Sequence, residues 1–178
     1  MKLTEKTIFS ETKFEGKIIK VKRDEVLMPD GSSSYREIVE HNGGVCIAPL
    51  TDNDTLIFVR QFRYAYGEEI LELPAGKLEK CEDPKSAGIR ELSEETGYTS
   101  RRVESLGVIY PTPGYCNEKI YLYLARDLEK FDQHLDDGEF LTLEEMSLEK
   151  ALDMVMNGEI KDAKTQIIIL KIAKILGM

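Results

Sequence analysis

Four acidic side chains lie close together in the middle of the chain and could bind a metal ion. Glu91, Glu94 and Glu95 fall within five positions, and Glu82 precedes them. Mg²⁺ prefers oxygen ligands, keeps several of its waters, and usually takes one or two carboxylates together with substrate phosphates. The alternative is a solvated acidic surface, which is the common state of a glutamate-rich helix face. The residue types therefore indicate either metal-assisted phosphate chemistry or plain solvation.

A helix over residues 84–96 is predicted to carry the three closest glutamates. Asp83 suits the N-cap position, Pro84 the first helical position, and Gly97 the position just past the end. Because a helix turns by about 100° per residue, the three glutamates share one arc. The opposite side carries Ile89, Leu92 and Thr96. Like charges three and four positions apart destabilise a helix slightly, so helix stability does not favour this spacing. We expect one side to face the core and the other to carry carboxylates.

The spacing of glycine, glutamate and arginine in residues 76–98 resembles the Nudix box. Gly76 is followed after five residues by Glu82, and after seven more by the run Arg90-Glu91-Leu92-Ser93-Glu94-Glu95-Thr96-Gly97. Only Tyr98 departs, because the family more often has an aliphatic residue there. Proteins of this family hydrolyse a nucleoside diphosphate linked to another moiety, using divalent metals held by the glutamates. The resemblance implies this activity, with a catalytically silent Nudix domain as the alternative.

The flanking segments resemble the bacterial ADP-ribose pyrophosphatases of that family. Residues 72–79 (ELPAGKLE) match the segment before the box, and Pro113 lies where this subfamily has a proline after it. Residues 35–41, 60–63 and 162–165 are similar as well. The resemblance implies Mg²⁺-dependent hydrolysis of ADP-ribose to AMP and ribose 5-phosphate, with Mn²⁺ as the alternative to Mg²⁺. The alternatives are another nucleoside diphosphate sugar, a dinucleotide, or a sensor that binds ADP-ribose without cleaving it.

Carried over by position, the resemblance also implies roles at the reaction centre. The metal would be held by the Ala75 backbone carbonyl, Glu91, Glu95 and Glu139. Arg90 would orient the carboxylates through paired hydrogen bonds, because a guanidinium forks well onto a carboxylate. The proton of the attacking water would go to Glu94, Asp137 or Glu139. Relatives often have a glutamate at the position of Asp137, so its shorter side chain leaves the choice of base open.

Seven residues are predicted from the resemblance to contact the substrate. They are Arg36, Glu37, Arg63, Leu78, Pro113, Tyr115 and Glu118. Arg63 could bind a phosphate with two hydrogen bonds, and Arg36 could stack on or pair with the nucleotide. Either arginine could instead form a surface ion pair, and Tyr115 could simply pack within its own loop. The sequence leaves these alternatives open.

Composition narrows the class of partner. The chain has 178 residues and a formal net charge of −9, which argues against general nucleic-acid binding. The same charge would repel an anionic substrate unless metal ions and local arginines overcame it. There is no apolar run near 18 residues and the first fifteen residues are polar, so we expect no membrane span, no signal peptide and a cytoplasmic location. Cys46, Cys81 and Cys116 lack disulfide or zinc spacing and are predicted to be free thiols.

The N-terminal residues are predicted to form a small antiparallel sheet. Strands are expected near residues 6–12, 17–27 and 35–41, and Pro29-Asp30-Gly31 is a turn that makes a hairpin of the last two. The resemblance implies that this sheet is exchanged between the subunits of a homodimer. We therefore divide the chain into an N-terminal subdomain, residues 1–41, and a Nudix hydrolase domain, residues 42–178.

The remaining elements predict an α/β fold of the α+β kind. Strands are expected at 44–50, 55–63, 69–73, 102–110, 119–125 and 140–144, and further helices at 148–156 and 163–176. The first two of these strands are almost continuously apolar, which is typical of strands covered on both faces. The last helix has an apolar stripe predicted to be core, consisting of Ile168, Ile169, Ile172, Ile175 and Leu176. The resemblance implies a Nudix α/β/α sandwich with a mixed sheet.

Overall fold

The computed structural model describes residues 3–136 and 138–178. The strands are β1 (Lys6–Glu15), β2 (Ile19–Leu27), β3 (Ser33–His41), β4 (Gly44–Pro49), β5 (Thr55–Arg63), β6 (Glu68–Glu72), β7 (Ala75–Lys77), β8 (Tyr98–Ile109), β9 (Ile120–Lys130) and β10 (Leu141–Ser147). The helices are α1 (Pro84–Thr96), α2 (Leu148–Met156) and α3 (Ala163–Leu176). Contacts group the chain into two compact units, one of residues up to Gly43 with Tyr110–Lys119, the other of Gly44–Ile109 with Ile120–Met178. The predicted division into 1–41 and 42–178 stays a prediction.

The larger unit is an α/β/α sandwich around a four-stranded mixed sheet. The strand order is β7-β4-β9-β8, with β4 parallel to β9 and the other neighbours antiparallel. All six residues of β4 are buried. Cys46 and Ala48 pack in a core cluster with α2 and α3, whereas Val45 and Ile47 pack in a second cluster with α1. The apolar sequence of this strand reflects cover on both faces, as predicted.

A second sheet in the same unit has the antiparallel order β10-β5-β6. Cover on both faces is confirmed only for the first half of β5, where Leu56 to Val59 are fully buried. The second half is partly exposed and ends at Arg63. The charged side chain of Arg63 thus lies at the end of a central strand whose first half is buried.

The predicted bounds of all three helices are confirmed, because their capping residues behave as expected. At α1, the Asp83 carboxylate accepts a hydrogen bond from the Ser86 N–H at 2.9 Å, which satisfies a backbone donor of the first turn. Pro84 occupies the first turn, and Gly97 ends the helix with φ of +71°, a left-handed conformation that favours glycine. These caps fix where the glutamates of α1 lie. None of the helices in the described part of the chain is long and apolar enough to span a membrane.

The predicted core stripe of α3 is wrong at its end. Ile168, Ile169 and Ile172 are fully buried, but Ile175 is 60% exposed and Leu176 is 37% exposed. Helical spacing identifies which side of a helix faces the core, and it does not show how far along the helix the core extends. The last turn of α3 lies outside the core.

The smaller unit contains the antiparallel sheet β1-β2-β3, as predicted. At the hairpin turn, the Met28 N–H donates to the Ser32 carbonyl at 2.7 Å, and Gly31 has φ of +87°. All ten residues of β1 are exposed. This strand pairs with β2 along one edge and presents its side chains to solvent.

Candidate active site

Two of the three clustered glutamates of α1 are buried beneath β7. Glu95 is 3% exposed and Glu91 is 9% exposed, whereas Glu94 is half-buried. The Ala75 N–H donates to Glu95 Oε2 at 3.0 Å, and this hydrogen bond connects α1 to β7. The predicted carboxylate side is therefore not a solvated surface. The helix periodicity placed these residues on one side but could not show that a short strand covers them.

Gly76 provides the space that the Glu91 carboxylate occupies. A Cβ atom built on residue 76 would lie 1.8 Å from Glu91 Oε1 and 2.0 Å from Glu91 Cδ. No side chain can be accommodated while that carboxylate stays in place. The glycine that opens the Nudix-like spacing is thus required by a close approach.

Arg90 lies among three carboxylates. Its guanidinium forks onto Glu82, with Nε to Oε1 at 3.0 Å and Nη2 to Oε2 at 3.2 Å. Its Nη1 donates to Glu91 Oε1 at 2.8 Å and to Glu94 Oε2 at 2.8 Å. These are the paired hydrogen bonds expected of an orienting residue. Among the residues that the structure describes, no three acidic, His or Cys side chains converge on one point at metal-ligand spacing.

The buried carboxylates lack enough neighbouring positive charge to offset their burial. Burial raises the pKa of Glu95 to about 8, and the charges of Glu91 and Glu139 raise it further, while the Ala75 N–H and Arg63 oppose the rise. Burial also raises the pKa of Glu91. Hard oxygen donors that are desolvated and close together are what a divalent cation would favour in the charged form. The residues present therefore fit a divalent metal.

We expect the raised pKa of Glu95 to make the metal-free protein less stable as pH rises. The carboxyl has a pKa of 4.5 when unfolded and about 8 when folded, so between these values only the folded state keeps the proton. This contribution to stability is present below pH 4.5 and is lost as pH rises through about 8. The slope should be up to about 1.4 kcal/mol per pH unit. Urea unfolding of wild type and Glu95→Gln in chelator at pH 6 and pH 8 measures it, and equal slopes would contradict the assignment.

The segment after β9 is hydrogen-bonded to the C-terminal end of α1. The Phe131 N–H donates to the Gly97 carbonyl at 2.6 Å, and the His134 N–H donates to the Glu94 carbonyl at 3.3 Å. The exposed Glu139 lies close enough for its charge to raise the pKa of the buried α1 glutamates. The structure thus brings one predicted ligand from this segment near the other two. Asp137 lies outside the described residues.

Arg63 is held by a buried carboxylate that the sequence did not identify as functional. Its Nε donates to Glu72 Oε1 at 2.5 Å and its Nη2 to Glu72 Oε2 at 2.7 Å. Lys164 donates to the same Glu72 carboxylate and to Asp162 Oδ1, the latter at 2.9 Å. Burial alone would raise the pKa of Glu72, but Arg63 and Lys164 lower it. The available signal was a glutamate that lies between two leucines in sequence, Leu71 and Leu73.

The remaining predicted substrate contacts divide between the two units. In the smaller unit, Arg36 forks onto Glu5, with Nε to Oε2 at 2.9 Å and Nη2 to Oε1 at 2.6 Å, so the ion-pair alternative describes its state here. Glu37 and Pro113 are exposed. In the larger unit, Leu78 is 9% exposed and packs in the core cluster beneath α1. Burial of its side chain leaves only its backbone for substrate contact.

Two of these residues contact strand β3. The Tyr115 carbonyl accepts from the Val39 N–H at 2.8 Å, and Tyr115 is 56% exposed. Glu118 lies 3.4 Å from His41 Nδ1. The loop Tyr110–Lys119 is thereby attached to β3 in the smaller unit, and both alternatives for the Tyr115 side chain stay predictions.

Comparison with known proteins places this site in a family. A family model described as the NUDIX domain matches residues 40–166. The chain belongs to the Nudix family. A second model, described as the nucleoside diphosphate sugar hydrolase N-terminal domain, matches residues 5–39. The chain is a Nudix hydrolase, and the residue pattern from Gly76 to Gly97 is its Nudix box.

Individual relatives cover nearly the whole of this Nudix hydrolase. It is 42% identical over 165 residues to the ADP-ribose pyrophosphatase of Bacillus subtilis (strain 168), covering 92% of this chain and 89% of that protein. It is equally identical, with the same coverage, to the methanol dehydrogenase activator of Bacillus methanolicus. A crystal structure of an ADP compounds hydrolase matches with a TM-score of 0.87 at 21% identity, over 99% of this chain and 96% of that one, which shows the Nudix fold. Nudix ADP-ribose pyrophosphatases generally use a divalent metal.

Proposed function

We propose that this Nudix hydrolase cleaves the pyrophosphate of ADP-ribose to AMP and ribose 5-phosphate with Mg²⁺, for which Mn²⁺ can substitute. The observation that carries the proposal is the buried pair Glu91 and Glu95, held under Gly76 and Ala75 with their pKa values raised. A purely structural protein would gain nothing from two buried like charges, which cost free energy unless a cation joins them. The Bacillus subtilis relative, which is named as an ADP-ribose pyrophosphatase, supports ADP-ribose as the substrate.

The metal would be held by oxygen atoms from β7, from α1 and from the segment after β9. The proposed ligands are the Ala75 carbonyl, Glu91, Glu95 and Glu139. When bound, a divalent metal neutralises charge on the pyrophosphate and lowers the pKa of a bound water. Arg90 would keep the carboxylates in place, since its guanidinium already contacts Glu82, Glu91 and Glu94. The fork on Glu82 fixes the plane of that guanidinium.

A carboxylate near the box would take the proton from the attacking water. Glu94 is half-buried and already oriented by Arg90, whereas Glu139 is exposed on the segment after β9. Asp137 is the third candidate. The geometry favours none of the three carboxylates over the others. Positioning and charge stabilisation together would contribute more to the rate acceleration than the base does.

Arg63 is the residue proposed to meet the pyrophosphate. Glu72 engages its Nε and Nη2, and no acceptor for Nη1 lies within the described residues. Arg63 belongs to the same unit as Glu95, and its positive charge opposes the rise in the pKa of Glu95. Contacts to the nucleotide and the ribose are proposed for Arg36, Glu37, Leu78 (through its backbone), Pro113, Tyr115 and Glu118.

Two other functions are kept because specific comparisons favour them. The first is hydrolysis of another nucleotide sugar, or of a dinucleotide. The N-terminal family model favours it, because that model is described as a nucleoside diphosphate sugar hydrolase domain. A non-hydrolysing ADP-ribose sensor is the second, since a relative at equal identity is named as an activator of another protein. The buried glutamates favour hydrolysis over sensing.

Product analysis tests the proposed reaction directly. ADP-ribose incubated with the enzyme and Mg²⁺ should yield AMP and ribose 5-phosphate in equal amounts, separated by ion-exchange chromatography. Chelator should abolish both products, because the carboxylates alone cannot neutralise the pyrophosphate. Retention of intact ADP-ribose on the protein, with no product, would replace the hydrolase by the sensor.

We also propose that the chain is a cytoplasmic homodimer formed through its N-terminal sheet. Ile8, Phe9 and Phe14 on β1 are each more than half exposed, which is unusual for large apolar side chains on one strand. The free thiols Cys46 and Cys81 suit a reducing compartment. Light scattering at working concentration should give twice the chain mass, and a monomer would contradict the dimer.

A further inference from the structure

An ion network centred on a buried carboxylate joins three separate segments of the larger unit. Glu72, at the end of β6, has a side chain that is only 2% exposed, and Lys164, in the first turn of α3, has one that is 13% exposed. Arg63, at the end of β5, is the outermost member at 39%. Two cations therefore share one buried carboxylate, and Asp162 completes the network at 2.9 Å from Lys164.

The same helix turn fixes the backbone next to Glu72. The Leu73 N–H donates to Thr165 Oγ1 at 2.9 Å, and both residues are fully buried. The Ile47 N–H donates to the Pro74 carbonyl at 2.9 Å. The next residue, Ala75, is the one whose N–H binds Glu95. The corner between β6 and β7 is thus held from both sides, directly before the proposed metal ligands.

Such a network is not explained by stability alone. Burying an ion pair often stabilises a protein no more than apolar residues of the same volume would, because desolvation offsets the attraction. A fork that fixes two of the three guanidinium nitrogens leaves the third in a defined direction. For Arg63 that nitrogen is Nη1, on a side chain close enough to lower the pKa of Glu95.

We propose that Glu72 and Lys164 are positioning residues, which hold Arg63 so that its Nη1 meets the pyrophosphate of the substrate. Glu72 acts by the fork onto Arg63. Lys164 acts by fixing the rotamer of Glu72 and by balancing its charge together with Asp162. This role rests on the proposed hydrolysis of ADP-ribose, in which Arg63 contacts the substrate.

A double-mutant cycle with Arg63 separates positioning from a general structural effect. Glu72→Gln keeps the shape of the side chain but loses the charged fork, and should lower kcat for ADP-ribose by about 30-fold, since misplacement by about 1 Å costs up to 10²-fold. KM should change by less than about threefold, because the local net charge becomes more positive and still attracts an anion. In the Arg63→Ala background the same change should lower kcat by less than about twofold.

Lys164→Met is the second variant, because it keeps the aliphatic stem and carries the cycle if Glu72→Gln does not fold. It should lower kcat by about tenfold with Arg63 present and by less than about twofold without it. The matched control is Lys161→Met. It removes an exposed ion pair, in which Lys161 lies 2.9 Å from Glu68 at the start of β6. Its activity should stay within about twofold of wild type.

The outcomes separate failure of the network from failure of the proposed function. Equal losses for Glu72→Gln in the presence and absence of Arg63 would overturn the positioning role. The positioning role would also be overturned if the loss of activity in every variant were proportional to the fall in melting temperature, with KM and kcat changing together. If wild type does not cleave ADP-ribose at all, the proposed function itself fails.

Discussion

Replacing Glu95 by Gln is expected to lower kcat for ADP-ribose hydrolysis by about 10³-fold with the fold retained. Glu95 is 3% exposed, and its carboxylate is fixed by the Ala75 N–H, so an amide of the same shape can occupy the position. The amide is a weaker metal ligand because it lacks the negative charge. Steady-state kinetics across a range of Mg²⁺ concentrations, with circular dichroism for the fold, measure the effect.

Glu79→Gln is the matched control for the loss of one negative charge in the box. Glu79 is exposed on the loop before α1, and none of the proposed roles falls on it. Its turnover should stay within about twofold of wild type. Unchanged turnover of Glu95→Gln would refute the assignment of Glu95 as a metal ligand.

Gly76→Ala is expected to lower kcat/KM by about 10²-fold while changing stability little. The added Cβ would lie 1.8 Å from Glu91 Oε1, and the carboxylate is the far end of a flexible side chain, so the side chain rather than the backbone must move. A displaced carboxylate would bind the metal less well, and misplacement of about 1 Å at a reaction centre costs up to 10²-fold in rate. The apparent Mg²⁺ affinity in the kinetic assay should fall together with the activity.

Lys77→Ala tests whether any substitution in β7 has the same effect. Lys77 is the next residue and its side chain is exposed, so its loss should leave both activity and Mg²⁺ dependence within about twofold. If Gly76→Ala retains full activity, Glu91 does not need its present position and is not a metal ligand.

Local signals predicted the helices well because each helix ends at residues with a direct physical role. Asp83 and Gly97 bound α1 as predicted, since one supplies an acceptor and the other a left-handed backbone. Strand bounds were less well predicted. Pairing of β8 with β9 extends from Tyr98 opposite Lys130, well beyond either predicted strand, because pairing partners distant in sequence decide where a strand ends.

The box could be predicted from spacing, but its surroundings could not. The sequence placed Glu91 and Glu95 on one side of α1, and only the structure shows that the unpredicted strand β7 buries them. Glu72 and Lys164 lie 92 positions apart, so no local pattern could join them. Contacts over such a separation depend on the packing of α3 against the sheet.

The most direct test of the proposed function is phosphate release from a panel of substrates. ADP-ribose, other nucleotide sugars and dinucleotides would each be incubated with the enzyme and a phosphatase, once with Mg²⁺ and once with chelator. We predict strong, metal-dependent release with ADP-ribose and weaker release with the rest. Equal release from all substrates, or none from ADP-ribose with Mg²⁺, would contradict ADP-ribose hydrolysis and leave only the Nudix fold.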